Sequence, residues 1–560
     1  MPYDVLIKGG TVVDGSGADR FEADIAIDSG RIAAIGDNLG TAKRTIDAAG
    51  KHVTPGFVDI HTHLDAQIAW DPIASSSCFH GVTSVVLGNC GVTFAPCKPE
   101  DRDYLAQLME SVEDIPANSI HAGLPWDWET YGEYLDSLDA MDKGVNVGGM
   151  VGHCAVRYHA MGERSLDEAP ANDDDLKKIT SLVDEAIGSG ALGFSTSRTF
   201  MHRVPDGRFV PGTHADPGEM LAIGSVLGRH KKGVFEAAAR LGERDAEDLP
   251  NTRAEIAWMG EVSRQNNLNL TFGLVHSFRR PELYKRVIEF VEEENAKGAC
   301  LRPQTTSRGV GGLFALDHRT PFDASTSWKM LKDKSFSERL AMLEVESVRN
   351  SLCDLDAEPQ LNFDISYLLF DDAVDYRHDY ENSLTAHAKR MNLSPVEAFI
   401  QLNRQHKGRV VIYHPGLNQS MEAIEEMLVN PTVAMGLADS GAHVGQIMDA
   451  SSPTWLLSYW VRERGVLSLE EAIRGWTSDT ANLFGIKERG ILKEGAYADL
   501  NVIDLDNLAI DLPEYKHDFP GGAGRYVQTG RGYDYVLVNG QVFMESGEHS
   551  GALSGQMLRS

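Results

Sequence analysis

The chain has 560 residues, 42% apolar and 24% charged, the balance of a folded protein too large for a single small domain. Its 52 basic and 82 acidic side chains leave a formal charge of -30, which excludes nucleic acid and anionic membrane surfaces as the main partner. Six cysteines without a C-x-x-C pair, no basic-then-apolar leader and no apolar run of about 20 residues lead us to expect a cytoplasmic protein acting on a small molecule.

From Tyr3 to about Val53, short β-branched runs alternate with Gly and Asp: Val5-Leu-Ile, Thr11-Val-Val, Asp24-Ile-Ala-Ile and Arg31-Ile-Ala-Ala-Ile. These predict small antiparallel strands. Next, apolar runs alternate with helical patterns: Phe57-Val-Asp-Ile, Thr83 to Leu87, Val145 to Val151, Ala191 to Phe194, Gly233-Val-Phe, Leu268 to Val275 and Val433 to Leu437. That alternation predicts parallel strands joined by crossover helices, and a (β/α)8 TIM-type barrel is the common closed form at this length. Ser307 to about Phe363 has no clear period and reads as an insertion or lid over the barrel mouth. After Gly490 the β texture returns, with a hairpin signal at Asn539-Gly540. The predicted organisation is a small β-sandwich built from 1–53 plus 486–560, and a barrel over 54–485 with an insertion around 307–363.

The strongest chemical signal is Pro55-Gly-Phe-Val-Asp-Ile-His61-Thr-His63, an apolar strand ending in two histidines two residues apart. Period-2 alternation puts both imidazoles on one face. At the C-terminal end of a barrel strand, where such folds carry their active sites, neutral imidazoles suit a divalent metal such as zinc. Further along, Cys90 in Gly88-Asn-Cys90-Gly and His153 in Val151-Gly-His153 also end apolar strands, as do His276 after Leu268 to Val275 and Asp439 in Gly436-Leu-Ala-Asp439-Ser-Gly-Ala-His443. Residues alone leave Cys90 between ligand and buried apolar group, and Asp439 between catalytic acid and helix cap.

The segments DVLIKGGTVVDGSG, PGFVDIHTH, GVTSVVLGNCG, GALGFSTS, GLADSGAH and GILKEGAYADLNVID, in that order along nearly the whole chain, resemble the amidohydrolase superfamily and, within it, the D-aminoacylase branch of N-acyl-D-amino-acid deacylases. The resemblance implies a metal-bearing barrel with a β-sandwich from both termini. It implies metal ligation by His61, His63, Cys90 and His276, and a catalytic Asp439 that relays a proton from a metal-activated water to the leaving nitrogen. The chain departs from that family at its fifth strand. Where the family has a histidine ligand within Thr-His-Met-Arg, this sequence reads Ala237-Ala238-Ala239-Arg240, and alanine ligates nothing. The fourth strand has no lysine to bridge two ions. The expected site is therefore reduced to one ion per chain, zinc by preference, held by some of His61, His63, Cys90, His276 and Asp439, with Glu236 as a substitute ligand.

A substrate carboxylate needs a basic partner, and Arg157, Arg198, Arg240 and Arg302, each read as following a strand, are the candidates, with His153 lining the pocket. The leading expectation is hydrolysis of an N-acyl-D-amino acid or a related amide. Ala238 keeps open another reaction on the same scaffold, such as cyclic amide, lactone or carbon-carbon hydrolysis, or a non-catalytic scaffold. A homo-oligomer fits the family resemblance; no sequence feature sets its order.

Overall fold

The computed structural model describes residues 2–371 and 374–560. Eight parallel strands lie side by side in chain order: β1 (Phe57–Asp59), β2 (Val82–Leu87), β3 (Asn146–Gly152), β4 (Gly193–Ser197), β5 (Val234–Ala238), β6 (Asn269–Gly273), β7 (Cys300–Thr305) and β8 (Ala434–Met435). A parallel bridge between Thr62 and Ser440 joins the residues after β8 to those after β1, closing the expected TIM-type barrel at its C-terminal end. Ile60, Val86, Met150, Leu192 and Val234 form a buried apolar cluster that runs from strand to strand; each such side chain contributes about 1.5–3 kcal/mol on burial. β7 was not distinguished in the sequence. Its residues, Cys-Leu-Arg-Pro-Gln-Thr, break the apolar run that marks a buried parallel strand.

The crossover helices have clear local causes. Asn172 and Asp175 form a reciprocal capping box at the start of Asp173–Gly188, whose Ile179, Val183, Ala186 and Ile187 make one buried stripe. Asp216 caps Pro217–His230, with the proline in the first turn, where it loses no helical hydrogen bond.

Both chain ends enter one nine-stranded sheet. Tyr3–Val12 pairs antiparallel with Phe21–Asp28 on one edge and parallel with Ala42–Asp47 and His52–Pro55 on the other; Leu500–Ile503 then links it to the C-terminal hairpin Tyr533–Val538/Gln541–Glu545. Its own core includes Ile7, Ile25, Val53, Leu500 and Leu537. The last strand, Met557–Leu558, pairs with Val147 and Gly148 on β3.

Between β7 and β8, Val310–Ala315, Tyr367–Phe370 and Val410–Leu417 form an antiparallel sheet, with four short α-helices among the described residues between Phe336 and Gln405. Phe322, Trp328, Leu343, Phe399 and Ile412 give this segment a separate apolar cluster. Its architecture therefore continues well past Phe363. The helices are eight to eleven residues long, too short to print a lasting period on the sequence.

Candidate metal centre and active site

The barrel closes where the chemistry gathers. The Asp439 amide donates to the His61 carbonyl at 3.0 Å, and the His63 amide donates to the Ser440 carbonyl at 2.7 Å. These bonds fix the ends of β1 and β8 together. Behind them, the fully buried Asp59 accepts from the His61 amide at 3.2 Å and from Ser440 Oγ at 3.3 Å.

His61 Nε2 lies 3.5 Å from Cys90 Sγ. Asp439 Oδ1 lies 3.1 Å from His63 Nε2 and 3.6 Å from His61 Nε2. One donor atom each from His61, His63 and Cys90 fits within a span of 4.8 Å. Ligands at tetrahedral zinc distances stand roughly 3.4 Å apart, so the spacing suits a single ion. The surroundings agree. Among the described residues, Nδ1 of His61 and one oxygen of Glu236 are buried without a hydrogen-bond partner, and the ring nitrogens of His63 face the carboxylates of Glu113 and Asp439, a cluster that asks for a bound group. Four buried carboxyls, Asp59, Asp65, Glu113 and Glu236, and the partly exposed Asp439 crowd a volume that a dication would neutralise.

Cys90 is placed by an unusual turn. Gly88 and Gly91 both have positive φ, and a Cβ on Gly88 would lie 2.2 Å from the Met150 carbonyl oxygen. Cys90 itself sits in the left-handed region at φ 54°, a conformation costing about 1–2 kcal/mol that concentrates at functional sites. Its amide donates to Glu236 at 3.0 Å. Leu437, Asp439 and His443 share the left-handed conformation across the barrel mouth.

The electrostatics divide the carboxyls. Burial pushes Glu236 up to about 8 and Asp59 and Asp65 up to about 7, so they tend toward neutral acids. Burial would raise Asp439 too, but the contact with His63 and the charges of its histidine neighbours hold it far below the usual carboxylate range. Burial likewise opposes charge on His63, yet Glu113, 3.5 Å from Nδ1, and Asp439 together raise it to about 10. Burial takes His61 down to about 4. Without an ion, these contacts favour the charged forms of both His63 and Asp439.

Five expected site residues are not brought to the donor cluster or to the cavity beside it. His276 stands apart from the donor cluster. β6 ends at Gly273, so the strand alternation does not carry on to His276. Its backbone is tied on both sides to Asn418, and its ring meets Phe278 and Tyr284. His153 and Arg157 do not face substrate. Both are fully buried on Glu219, at 2.7 and 3.1 Å. Arg198 is buried against Glu255 at 3.2 Å. Arg302 lies inside β7, and its Nε donates to the Thr432 carbonyl at 3.1 Å. A strand end next to a helix offers an arginine a buried carboxylate as readily as a ligand, and sequence spacing does not tell the two apart.

Beside the centre opens a cavity of about 480 Å³, bounded at one end by His61, Cys90, Glu236 and Asp439. Ala238 lines it. Three further contributors carry little sequence signal. Glu113 ends the helix Arg102–Glu113 and backs His63. His202, bonded to Ser197 at 2.8 Å, comes from the Gly- and Pro-punctuated loop after β4, the one sequence signal for it. Arg279 follows β6 and carries no ion pair among the described residues, whereas Arg280 donates to the Asp245 and Ala246 carbonyls.

The sequence model of the amidohydrolase family matches residues 44–544. The chain belongs to the amidohydrolase family. It is accordingly a metal-dependent hydrolase of amide-type C–N bonds. This amidohydrolase is 28% identical to an uncharacterised protein of Mycobacterium tuberculosis over 100% of this chain and 96% of that protein. It is 27% identical to the N-acyl-D-glutamate deacylase of Alcaligenes xylosoxydans xylosoxydans over 96% and 93%. In structure it is similar to the N-acyl-D-glutamate deacylase of Bordetella bronchiseptica, solved with zinc and a phosphonate mimic of the tetrahedral intermediate (TM-score 0.65, 22% identity, 100% of both chains). Among the described residues, no helix of the amidohydrolase is long and apolar enough to cross a membrane.

Proposed function

We propose that this amidohydrolase removes the acyl group from an N-acyl amino acid, of D configuration by likeness to its deacylase relatives, with His61, His63 and Cys90 holding one zinc ion and Asp439 handling the proton. The observation that carries this reading is the convergence of three donor atoms within 4.8 Å, with Asp439 3.1 Å from His63, at the wall of an open cavity. The bound ion supplies Lewis acidity toward the water and the scissile carbonyl. Asp439 stays ionised, takes the proton released as the water attacks, and returns it to the amide nitrogen as the C–N bond breaks. His61 and Asp59 brace that carboxylate through the barrel closure. Glu113 holds His63 from behind, as an outer carboxylate does for a ligating imidazole. Arg279, a cavity-wall cation without an ion pair among the described residues, receives the substrate carboxylate.

Asp439→Asn keeps the shape of the carboxylate without its basicity. Turnover of a panel of N-acyl-D- and N-acyl-L-amino acids, read by amine release, should fall at least a thousandfold, with metal content by elemental analysis still near one per chain. Wild-type turnover in that variant removes Asp439 from the mechanism, and a protein purified with no metal removes the centre.

A further inference from the structure

The cavity beside the metal centre is far larger and more apolar than cleavage of a small amide requires. From the donors it runs past Ala238 and Leu274 to Leu283, Val287 and Leu417, so strands, a helix and the inserted segment all give it aliphatic walls. At about 480 Å³ it is in the size range of sites that enclose drug-sized ligands. An acetyl group would leave most of it to water held against hydrocarbon. Outside, Met201 on the loop after β4 lines the mouth and is 72% exposed, and Phe278, between the cavity residues Ser277 and Arg279, is 53% exposed. Large apolar side chains so exposed at a rim extend the apolar path into solvent.

We infer that the group entering this cavity is a medium- or long-chain fatty acyl group, making the substrate a lipid-like N-acyl amino acid. The inference rests on the amide-hydrolysing reading of the site. The substrate's carboxylate is one carbon from the scissile nitrogen and cannot enter aliphatic walls unpaired. It stays with Arg279, and the acyl side of the bond takes the apolar volume. Hydrolysis is balanced without another reactant: water adds its hydroxyl to the acyl carbon, its proton goes to nitrogen, and a fatty acid and a free amino acid leave.

The test uses metal-loaded full-length enzyme and two substrate series. In one, the acyl chain of N-acyl-D-alanine grows from acetyl to dodecanoyl; in the other, the acyl group stays acetyl and the amino-acid side chain grows from alanine to norleucine. Both are repeated with the L enantiomers. In the acyl series kcat/KM should rise by up to about fourfold per methylene until the cavity is full, and Ala239→Phe, which puts a ring into the lining, should cut the octanoyl-to-acetyl ratio at least tenfold. A fastest acetyl substrate, or a gain confined to the side-chain series, overturns the acyl assignment. Calorimetry with octanoate and acetate reads the cavity without catalysis. Tighter octanoate binding with no turnover of any N-acyl amino acid supports the acyl cavity and counts against the amide reading alone, whereas equal binding of the two acids alongside turnover of acetyl substrates overturns the cavity assignment and spares the reaction.

Discussion

Glu219→Gln separates a structural role for Arg157 and His153 from the substrate-binding role their positions suggested. In the folded chain the Glu219 carboxylate accepts from His153 Nε2 at 2.7 Å and from Arg157 Nε at 3.1 Å, with all three side chains buried. The glutamine keeps the size and loses the charge, leaving the Arg157 guanidinium buried with the Ser165 carbonyl, at 2.9 Å, as its main acceptor. Breaking a buried pair this way costs about 3–5 kcal/mol. Because the Ser165 bond survives, we expect the low end, about 3 kcal/mol, or roughly a hundredfold larger unfolded fraction. Removing both charges, in Arg157→Met with Glu219→Gln, should recover part of the loss. The pH dependence has a definite sign. Burial would raise the Glu219 carboxyl, but the bond from His153 and the charge of Arg157 bring it below its ordinary value of 4.5. Its ionisation therefore supports the fold above about pH 4.5, and that support is lost as pH falls through the lower folded value. Urea unfolding followed by tryptophan fluorescence should show the wild-type advantage at neutral pH and a narrowing gap in acid. The reasoning is refuted if Glu219→Gln is within 1 kcal/mol of wild type, or if Arg157→Lys leaves stability intact and raises KM for a carboxylate substrate.

Two further outcomes follow from the site. His63, raised to about 10 in the metal-free protein, keeps a proton at neutral pH, and burial lifts the Cys90 thiol well above its usual value, so an ion must displace both protons. Apparent metal affinity, read by competition with a chelating dye, should climb by up to about a hundredfold per pH unit between about pH 6 and 8, and a flat profile would remove His63 or Cys90 from the ligand set. In the metal-free protein, the stabilising charge on His63 is complete below about pH 6.5 and fades as pH rises through about 10. Arg279→Met should raise KM by about 10- to 100-fold for a free-carboxylate substrate, leaving kcat and the KM of the matching methyl ester unchanged; an equal loss on acid and ester would show that Arg279 does not read the carboxylate.

What the sequence discloses here depends on how local the cause is. His61 and His63 are legible because one strand with a fixed alternation carries both. The barrel is legible because buried parallel strands read as apolar runs, and β7 escapes where Arg302, Pro303 and Gln304 break that rule. His276 shows how little error is tolerated: the strand reads correctly, yet the end of β6 at Gly273 and the grip of Asn418 decide which side the next three residues face. The arginines fail for another reason. Their partners Glu219 and Glu255 lie 62 and 57 residues away on helices, and no local pattern announces a buried carboxylate waiting at that distance. Glu113 is hidden in the same way, an acidic residue at the end of an ordinary amphipathic helix until the fold brings it to His63.

Ala238 ties the metal count to the substrate. The sequence resemblance implies a histidine ligand there; the alanine at the end of β5 cannot ligate and lines the cavity instead. The two effects do not come apart. With Glu236 near neutral and bonded to the Cys90 amide, its carboxyl is a poor replacement ligand until an ion displaces its proton, which supports the proposed single-ion site of His61, His63 and Cys90. The cavity, lined onward by Ala239 and Leu241, belongs to the substrate. Restoring the histidine in Ala238→His should therefore act in two directions at once, adding a donor that raises metal content above one per chain while shortening the longest acyl group the enzyme accepts. A variant that gains metal and keeps its acyl preference would place the acyl cavity away from Ala238 and break the link.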